Sequence, residues 1–373
     1  MKIIFNIILY CCCFSLFLSS CAKKESSSGS SSSSATTTAS DNSKSSFSVS
    51  EITQTNEGDG YLSGSFVVPS DGISFMLATF MDNNSVVAFY SLSDPDGTNI
   101  LSSLGTWGGY GFASVLVPQT PNFSAKAGTW TFKNYANDRV NLSMRTGSTP
   151  SAATITVQPY ITGTTWSAND IASALSVMSN IYNSNGITLS LKDTITISES
   201  QYATVSDNFT DSTTSALVSQ GSKDTVNLFF VEDQPSSETA LYGVSAGLPG
   251  TMGIASSWNG VINYLSAHAT GSTLNSQLLG ETAAHEMGHW LGLFHTTEAN
   301  GTSFDPLSDT AQCAISRDND NDAKVYPEEC VGYGADNLMF WTAWSTSSQA
   351  AGKKQENLSS EQQYILKYSP IAK

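Results

Sequence analysis

The chain has 373 residues, 40% of them apolar and including 14 Tyr, 17 Phe and 7 Trp, but only 13% charged. It is too long for one ordinary core and apolar enough for two of common size, and so low a charged fraction suits an extracellular protein better than a cytoplasmic one. With 32 acidic against 16 basic side chains the net charge is −16, which argues against nucleic-acid binding, where a basic footprint is needed, and suits divalent cations.

The N-terminus has a positive charge at Lys2, an apolar run from Ile3 to Phe17, and then "LSSC" at Leu18 to Cys21. An apolar core this short behind a cation marks a secretory signal rather than a membrane span. The stretch "LFLSSCAKK" resembles the cleavage site of bacterial lipoproteins. That resemblance implies a signal peptide at residues 1–20, lipidation of Cys21, and a membrane partner reached through the N-terminal lipid at the cell envelope or surface. An uncleaved anchor helix is the alternative, and it too leaves the remainder exported. Residues 21–46, rich in serine, carry almost nothing that could be buried, so they form a tether with a reach of roughly 25–30 Å. Cys11, Cys12 and Cys13 leave with the signal and Cys21 is acylated. Cys313 and Cys330 then remain as the pair to be joined in an oxidising compartment.

From residue 47 to 160 the pattern is short alternating runs broken by Gly, Pro, Asp and Asn, such as "GYLSGSFVVPSDG", "ISFMLATFM" and "GTWTFKNY". Runs of this length without helical period predict an all-β sandwich or jelly roll. "SLSDPDGTNIL" and "AGTWTFKNYANDRVNLSM" resemble the pre-peptidase and P-type domains that accompany secreted peptidases, which implies a stabilising or binding role; an inert spacer is the alternative.

The texture changes for residues 161–373. Ile171, Leu175, Met178, Ile181 and Tyr182 recur at helical spacing up to a stop at Gly186. "ITLSLKDTITI" alternates, "DTVNLFFVED" suits a covered strand, and "LYGVSAGL" and "GVINYLSA" are further strand candidates. A helix is predicted from near Thr273 to Leu291, making this an α+β domain.

That helix carries "TAAHEMGHWLGLFHTTE", with three of the chain's four histidines at 285, 289 and 295. At about 100° per residue, His285 and His289 project roughly 40° apart, one turn separated. Leu279, Ala283, Met287, Trp290 and Leu291 fall on the opposite, packing side. His295 lies too far along a straight axis to join them, but Gly292 can adopt positive φ, end the helix and turn the chain back. Three neutral imidazoles with an open position make a catalytic zinc set. Zinc lowers the pKa of bound water to about 7, and Glu286 beside His285 is placed to take its proton and deliver it to a leaving amine. His268, outside the pattern, reads as a surface histidine.

The spacing HExxHxxGxxH resembles that of the metzincin metallopeptidases, whose second mark is a methionine turn beneath the metal; "ADNLMFWTA" supplies Met339. "NLFFVED", "HEMGHWLGLFHT", "LSDTAQC" and "DNLMFW" look closest to the pappalysin and cytophagalysin branch. The resemblance implies a metzincin-like α+β catalytic domain and a zinc endopeptidase acting on proteins or peptides. In it His285, His289 and His295 hold the metal, Glu286 is general base and Met339 a hydrophobic floor. Where many metzincins carry tyrosine two residues after the methionine, this chain has Trp341, whose N–H can donate but cannot ligate. "LYGVSAGL" is nominated as the edge strand that receives an extended substrate, with a loop as the alternative. The competing class is a surface adhesin or binding lipoprotein with a structural metal site, against which Glu286 speaks, since a folding metal needs no base.

Between the two signatures lies "RDNDNDAKVYPEEC". Asp318, Asp320, Asp322, the Lys324 carbonyl and Glu329 follow the ligand order of a Ca2+ loop, although Ala323 replaces the sharp-turn glycine and neither flank reads as a strong helix. Calcium or a solvated acidic turn are the two readings. A Cys313–Cys330 bridge would close this loop.

Overall fold

The computed structural model describes residues 45–373 apart from Asp59, 81–85, Thr106, Tyr110 and 136–138. The expected signal peptide, Cys21 and nearly all of the tether lie outside the described residues. No helix among the described residues is long and apolar enough to cross a membrane.

The first part is built from β1 (Ser46–Ile52), β2 (Thr55–Asn56), β3 (Leu62–Val68), β4 (Gly72–Phe80), β5 (Ala88–Ser93), β6 (Trp107–Gly108), β7 (Phe112–Val117), β8 (Gly128–Tyr135) and β9 (Val140–Thr146). They form two antiparallel sheets, ordered β1-β9-β4-β7-β6 and β2-β3-β8-β5. In β8 the alternation is plain: Trp130, Phe132 and Asn134 are buried while Thr129, Thr131 and Tyr135 are exposed. Phe66, Phe75, Leu92, Trp130 and Phe132 fill the space between the sheets. β7 has no exposed face at all. Its outer side, with Met76, Ala78 and Phe80 of β4, packs into the core of the second part through Phe112 and Leu116.

The second part opens with β10 (Ala153–Thr162), so the change of sheet falls between Thr146 and Ala153 rather than at residue 160. "ATITVQPYIT" alternates well enough for either sheet; parallel pairing with two later strands decides the matter. There follow α1 (Ala168–Ser184), β11 (Ile187–Leu191), β12 (Ile195–Ile197), α2 (Ser212–Val218), β13 (Val226–Val231), β14 (Gly243–Ser245), β15 (Val261–Tyr264), α3 (Ser276–Trp290), α4 (Thr346–Ala350) and α5 (Ser360–Tyr368). The sheet runs β11-β10-β13-β15-β14, with β12 also beside β10; all of it is parallel except β14, which lies antiparallel on the β15 edge. Central β13 is buried on both faces, which is why its sequence is nearly continuous apolar.

A Ser167–Asp170 capping box starts α1 and Asn275 caps α3. α1 packs on α3, where the Tyr182 hydroxyl donates to the Ala284 carbonyl at 2.9 Å. Gly280 permits that approach: a Cβ there would lie 2.7 Å from the Ala174 carbonyl oxygen. The residues before α3, Thr273 and Leu274, are extended rather than helical.

Candidate metal centre

The packing side of α3 is fully enclosed, with Leu279, Ala283, Met287, Trp290 and Leu291 all at 0% exposure, so His285 and His289 are driven to the other face. The helix ends at Gly292, where φ is +106°. The Gly292 N–H bonds the His289 carbonyl at 2.8 Å and the Leu293 N–H bonds the Gly288 carbonyl at 2.9 Å, which turns the chain back. His295 Nε2 then lies 3.0 Å from His289 Nε2 and 3.3 Å from His285 Nε2. A tetrahedral ion bound at ~2.0–2.1 Å sets its nitrogens roughly 3.3 Å apart, so the trio fits zinc.

The far side of each ring supports the same reading. His285 Nδ1 lies 2.6 Å from the Leu338 carbonyl and His289 Nδ1 lies 2.7 Å from the Leu293 carbonyl. A carbonyl only accepts, so both Nδ1 atoms carry the proton and both Nε2 lone pairs are free for a metal. His295 Nδ1 faces Glu298 Oε1 at 3.1 Å. Burial, with His295 adding, pushes His285 down to about 3; burial also drives His289 well below the usual histidine range. Burial alone would lower His295 too, but Glu298 and Glu286 outweigh it and hold that ring above its ordinary value.

Glu286 sits beside the trio against the edge strand. A Cβ on Gly243 would come 2.8 Å from its Cγ, so glycine is what lets β14 lie this close. Burial pushes the Glu286 carboxyl up to about 7, partly offset by His295 and the Ser245 backbone. Met339 is fully buried under the helix, and a Cβ on Gly288 would meet its Sδ at 2.6 Å. The Trp341 N–H donates to the Val325 carbonyl at 2.6 Å, so its donor is spent tying the methionine turn to the acidic loop.

In that loop Asp318, Asp320 and Asp322 bring carboxylate oxygens within 4.8 Å of one another. Their oxygens also accept from nearby backbone N–H groups of Asn321, Ala323, Asp322 and Lys324. Glu329 accepts from the N–H groups of Asn319 and Tyr326, and Ala323 takes φ +66° where a calcium loop has its glycine. Cys313 and Cys330 are joined, with Cα atoms 5.6 Å apart, and both are buried.

His268 is not a surface residue. Only 3% exposed, it donates from Nδ1 to the Tyr264 carbonyl at 2.7 Å and accepts at Nε2 from the Thr282 hydroxyl at 3.0 Å; burial pushes it down to about 4. It follows buried β15 and packs under Tyr242, whose ring centroid is 4.8 Å away. Glu298, Gly288 and Gly243 were not singled out from the sequence. Only Glu298 had a local signal, a carboxylate three residues after the third histidine.

Residues 168–296 match the family model described as "Metallo-peptidase family M12B Reprolysin-like". The match runs from the start of α1 to the residue after His295, so this segment is metallopeptidase-like. Two Colletotrichum graminicola proteins named extracellular metalloprotease are similar to the chain. One is 37% identical over 25% of this chain and 35% of its own length, and the other 27% identical over 45% and 64%. A Coccidioides posadasii protein named extracellular metalloprotease 1 is 25% identical over 48% of this chain and 62% of its own length. The chain thus spans between about a third and two thirds of the length of these relatives. Among solved structures, an archaemetzincin from Methanopyrus kandleri aligns over 60% of this chain and 98% of its own, at 11% identity and a TM-score of 0.32.

Proposed function

We propose that the protein is an exported zinc-dependent endopeptidase that hydrolyses peptide bonds of extracellular proteins. The observation that carries this is the convergence of three Nε2 atoms whose rings are each fixed at Nδ1, with a carboxylate beside them. His285, His289 and His295 would hold zinc, which when bound supplies an activated water and polarises the scissile carbonyl. Glu286 takes the proton of the attacking water and passes it to the leaving nitrogen, the two transfers a carboxylate beside the metal is placed to make.

An extended peptide adds to β14, whose outer edge no other strand covers among the described residues, and this sets the scissile bond alongside Glu286. Trp341 is committed to Val325, so it contributes no oxyanion donor. The motifs around Met339 favour the pappalysin and cytophagalysin branch, and the sandwich is an accessory domain of pre-peptidase type that packs on the second part through Phe112 and Leu116. Cys21 carries the lipid anchor. The acidic loop is a Ca2+ site by its ligand order alone.

Digestion of casein by wild type and by Glu286→Ala, each with and without a zinc chelator, tests the enzyme reading. Cleavage should vanish in both perturbed cases, and cleavage that survives either one rejects zinc peptidase chemistry.

A further inference from the structure

We propose that Glu298 is a positioning residue for the third imidazole and that the disulfide-closed acidic loop keeps it in place; this rests on the zinc reading above. His285 and His289 lean on backbone carbonyls, which no side-chain substitution removes. His295 alone leans on a side chain, through the contact between its Nδ1 and Glu298 Oε1. It also alone lies beyond the end of α3, where no helical ladder fixes the backbone. Glu298 therefore decides both which His295 nitrogen carries the proton and where the ring points.

The segment bearing Glu298 is tied to the methionine turn directly, by the Thr296 N–H to the Met339 carbonyl at 2.9 Å, and is braced from its other side by the loop. The Cys313 N–H donates to the Thr297 hydroxyl at 3.0 Å, the Ile315 N–H to the Gly301 carbonyl at 2.8 Å, and the Val325 N–H to the Ala299 carbonyl at 2.9 Å. The Val325 carbonyl in turn accepts from Trp341, two residues past Met339. Residues 313–325 thus reinforce the junction between the third ligand's segment and the methionine turn, and the Cys313–Cys330 bond closes this clamp. Glu298 also brings a second negative charge, with Glu286, to a site whose three imidazole ligands are neutral.

The test is zinc affinity of the full chain, measured by competition with a chromophoric chelator, together with the melting temperature of the zinc-free protein. Glu298→Ala should weaken zinc binding about 10–100-fold. Glu298→Gln, whose amide oxygen still accepts from Nδ1, should recover part of that loss, and zinc-free melting should be the same in all three proteins. Opening Cys313–Cys330 with a reductant should weaken zinc binding in wild type and add little in Glu298→Ala. A Glu298→Ala affinity within twofold of wild type overturns the proposal, as does a loss matched by an equal fall in zinc-free melting. A wild type that takes up no zinc is a different result, since it removes the metal reading itself.

Discussion

Two regions of this protein gather metal-type donors, and they are organised in opposite ways. At the histidine trio every ring is fixed from behind, by Leu338, Leu293 and Glu298, so the three Nε2 atoms point toward one another. In the acidic loop the carboxylates turn on their own backbone, and both oxygens of Glu329 accept from N–H groups of the loop. The first is pre-organised, so an ion there meets ligands already aimed; in the second an ion must compete with local hydrogen bonds. Desolvation sharpens the contrast: burial shifts His285, His289 and Glu286, whereas Asp320 and Asp322 are exposed and Asp318 is half-buried.

The largest effect should separate metal binding from chemistry at the pre-organised site. Glu286→Gln should lower peptide hydrolysis by about 10²–10⁴-fold, the usual worth of a positioned general base, while zinc stays bound in full. Rate and metal content measured on one preparation check this. Loss of zinc along with rate would make Glu286 part of the metal set instead.

The next prediction concerns the loop's dependence on a covalent closure. Cys313→Ser with Cys330→Ser should cost about 3 kcal/mol of unfolding free energy in the chain-entropy model, read by urea titration in the presence of zinc. A cost below about 1 kcal/mol would mean that hydrogen bonds alone close the clamp.

A third compares pH responses along α3 itself. Glu281, one turn before His285 and 5% exposed, is pushed up to about 7 by burial, with Glu356 adding to the rise and Gln277 opposing it. A folded pKa above the unfolded one means the native state binds the extra proton. This group's contribution to stability is therefore complete below the ordinary carboxylate range near pH 4.5 and is lost as pH rises to about 7. Glu281→Gln should remove that slope and raise stability above pH 7 by up to about 3 kcal/mol. Melting curves at several pH values measure it, and an unchanged slope would show that Glu281 ionises in the fold at little cost.

What the sequence disclosed about these two regions follows from the range of the interactions. His285, His289, Glu286 and Gly292 act within one helix and its turn, so spacing alone placed them. Cys313 and Cys330 were legible because compartment and cysteine count left no other pair. Gly288 was not legible, since its reason is the Met339 sulfur arriving from a distant segment. His268 was misread because one polar residue after a strand looks exposed until Thr282 and Tyr264 close around it. The change of sheet near Ala153 was missed for a similar reason: alternation shows that a strand exists, whereas its partners come from elsewhere in the chain. The loop is the intermediate case, its ligand order visible in the sequence and its self-satisfied hydrogen bonding not.

The smallest effect should come from that loop, and the contrast with the trio sets its size. An ion that shares its carboxylate oxygens with the N–H donors on Asp318, Asp320, Asp322 and Glu329 is expected in the weak range of calcium modules, with Kd near 10⁻⁴–10⁻³ M. At 1 mM calcium, mass action then stabilises the fold by only about 0.4–1.4 kcal/mol. Thermal unfolding of zinc-loaded wild type with calcium or with a calcium-selective chelator should therefore differ by a few degrees at most. Asp320→Asn should abolish the difference without altering zinc content, because Asp320 is exposed and its carboxylate accepts from the Asp322 N–H within the loop. A shift that survives Asp320→Asn would place the calcium elsewhere. No shift at all would leave the loop as a solvated clamp whose negative charges serve only to shape its backbone, and the pre-organised trio as the single metal centre among the described residues.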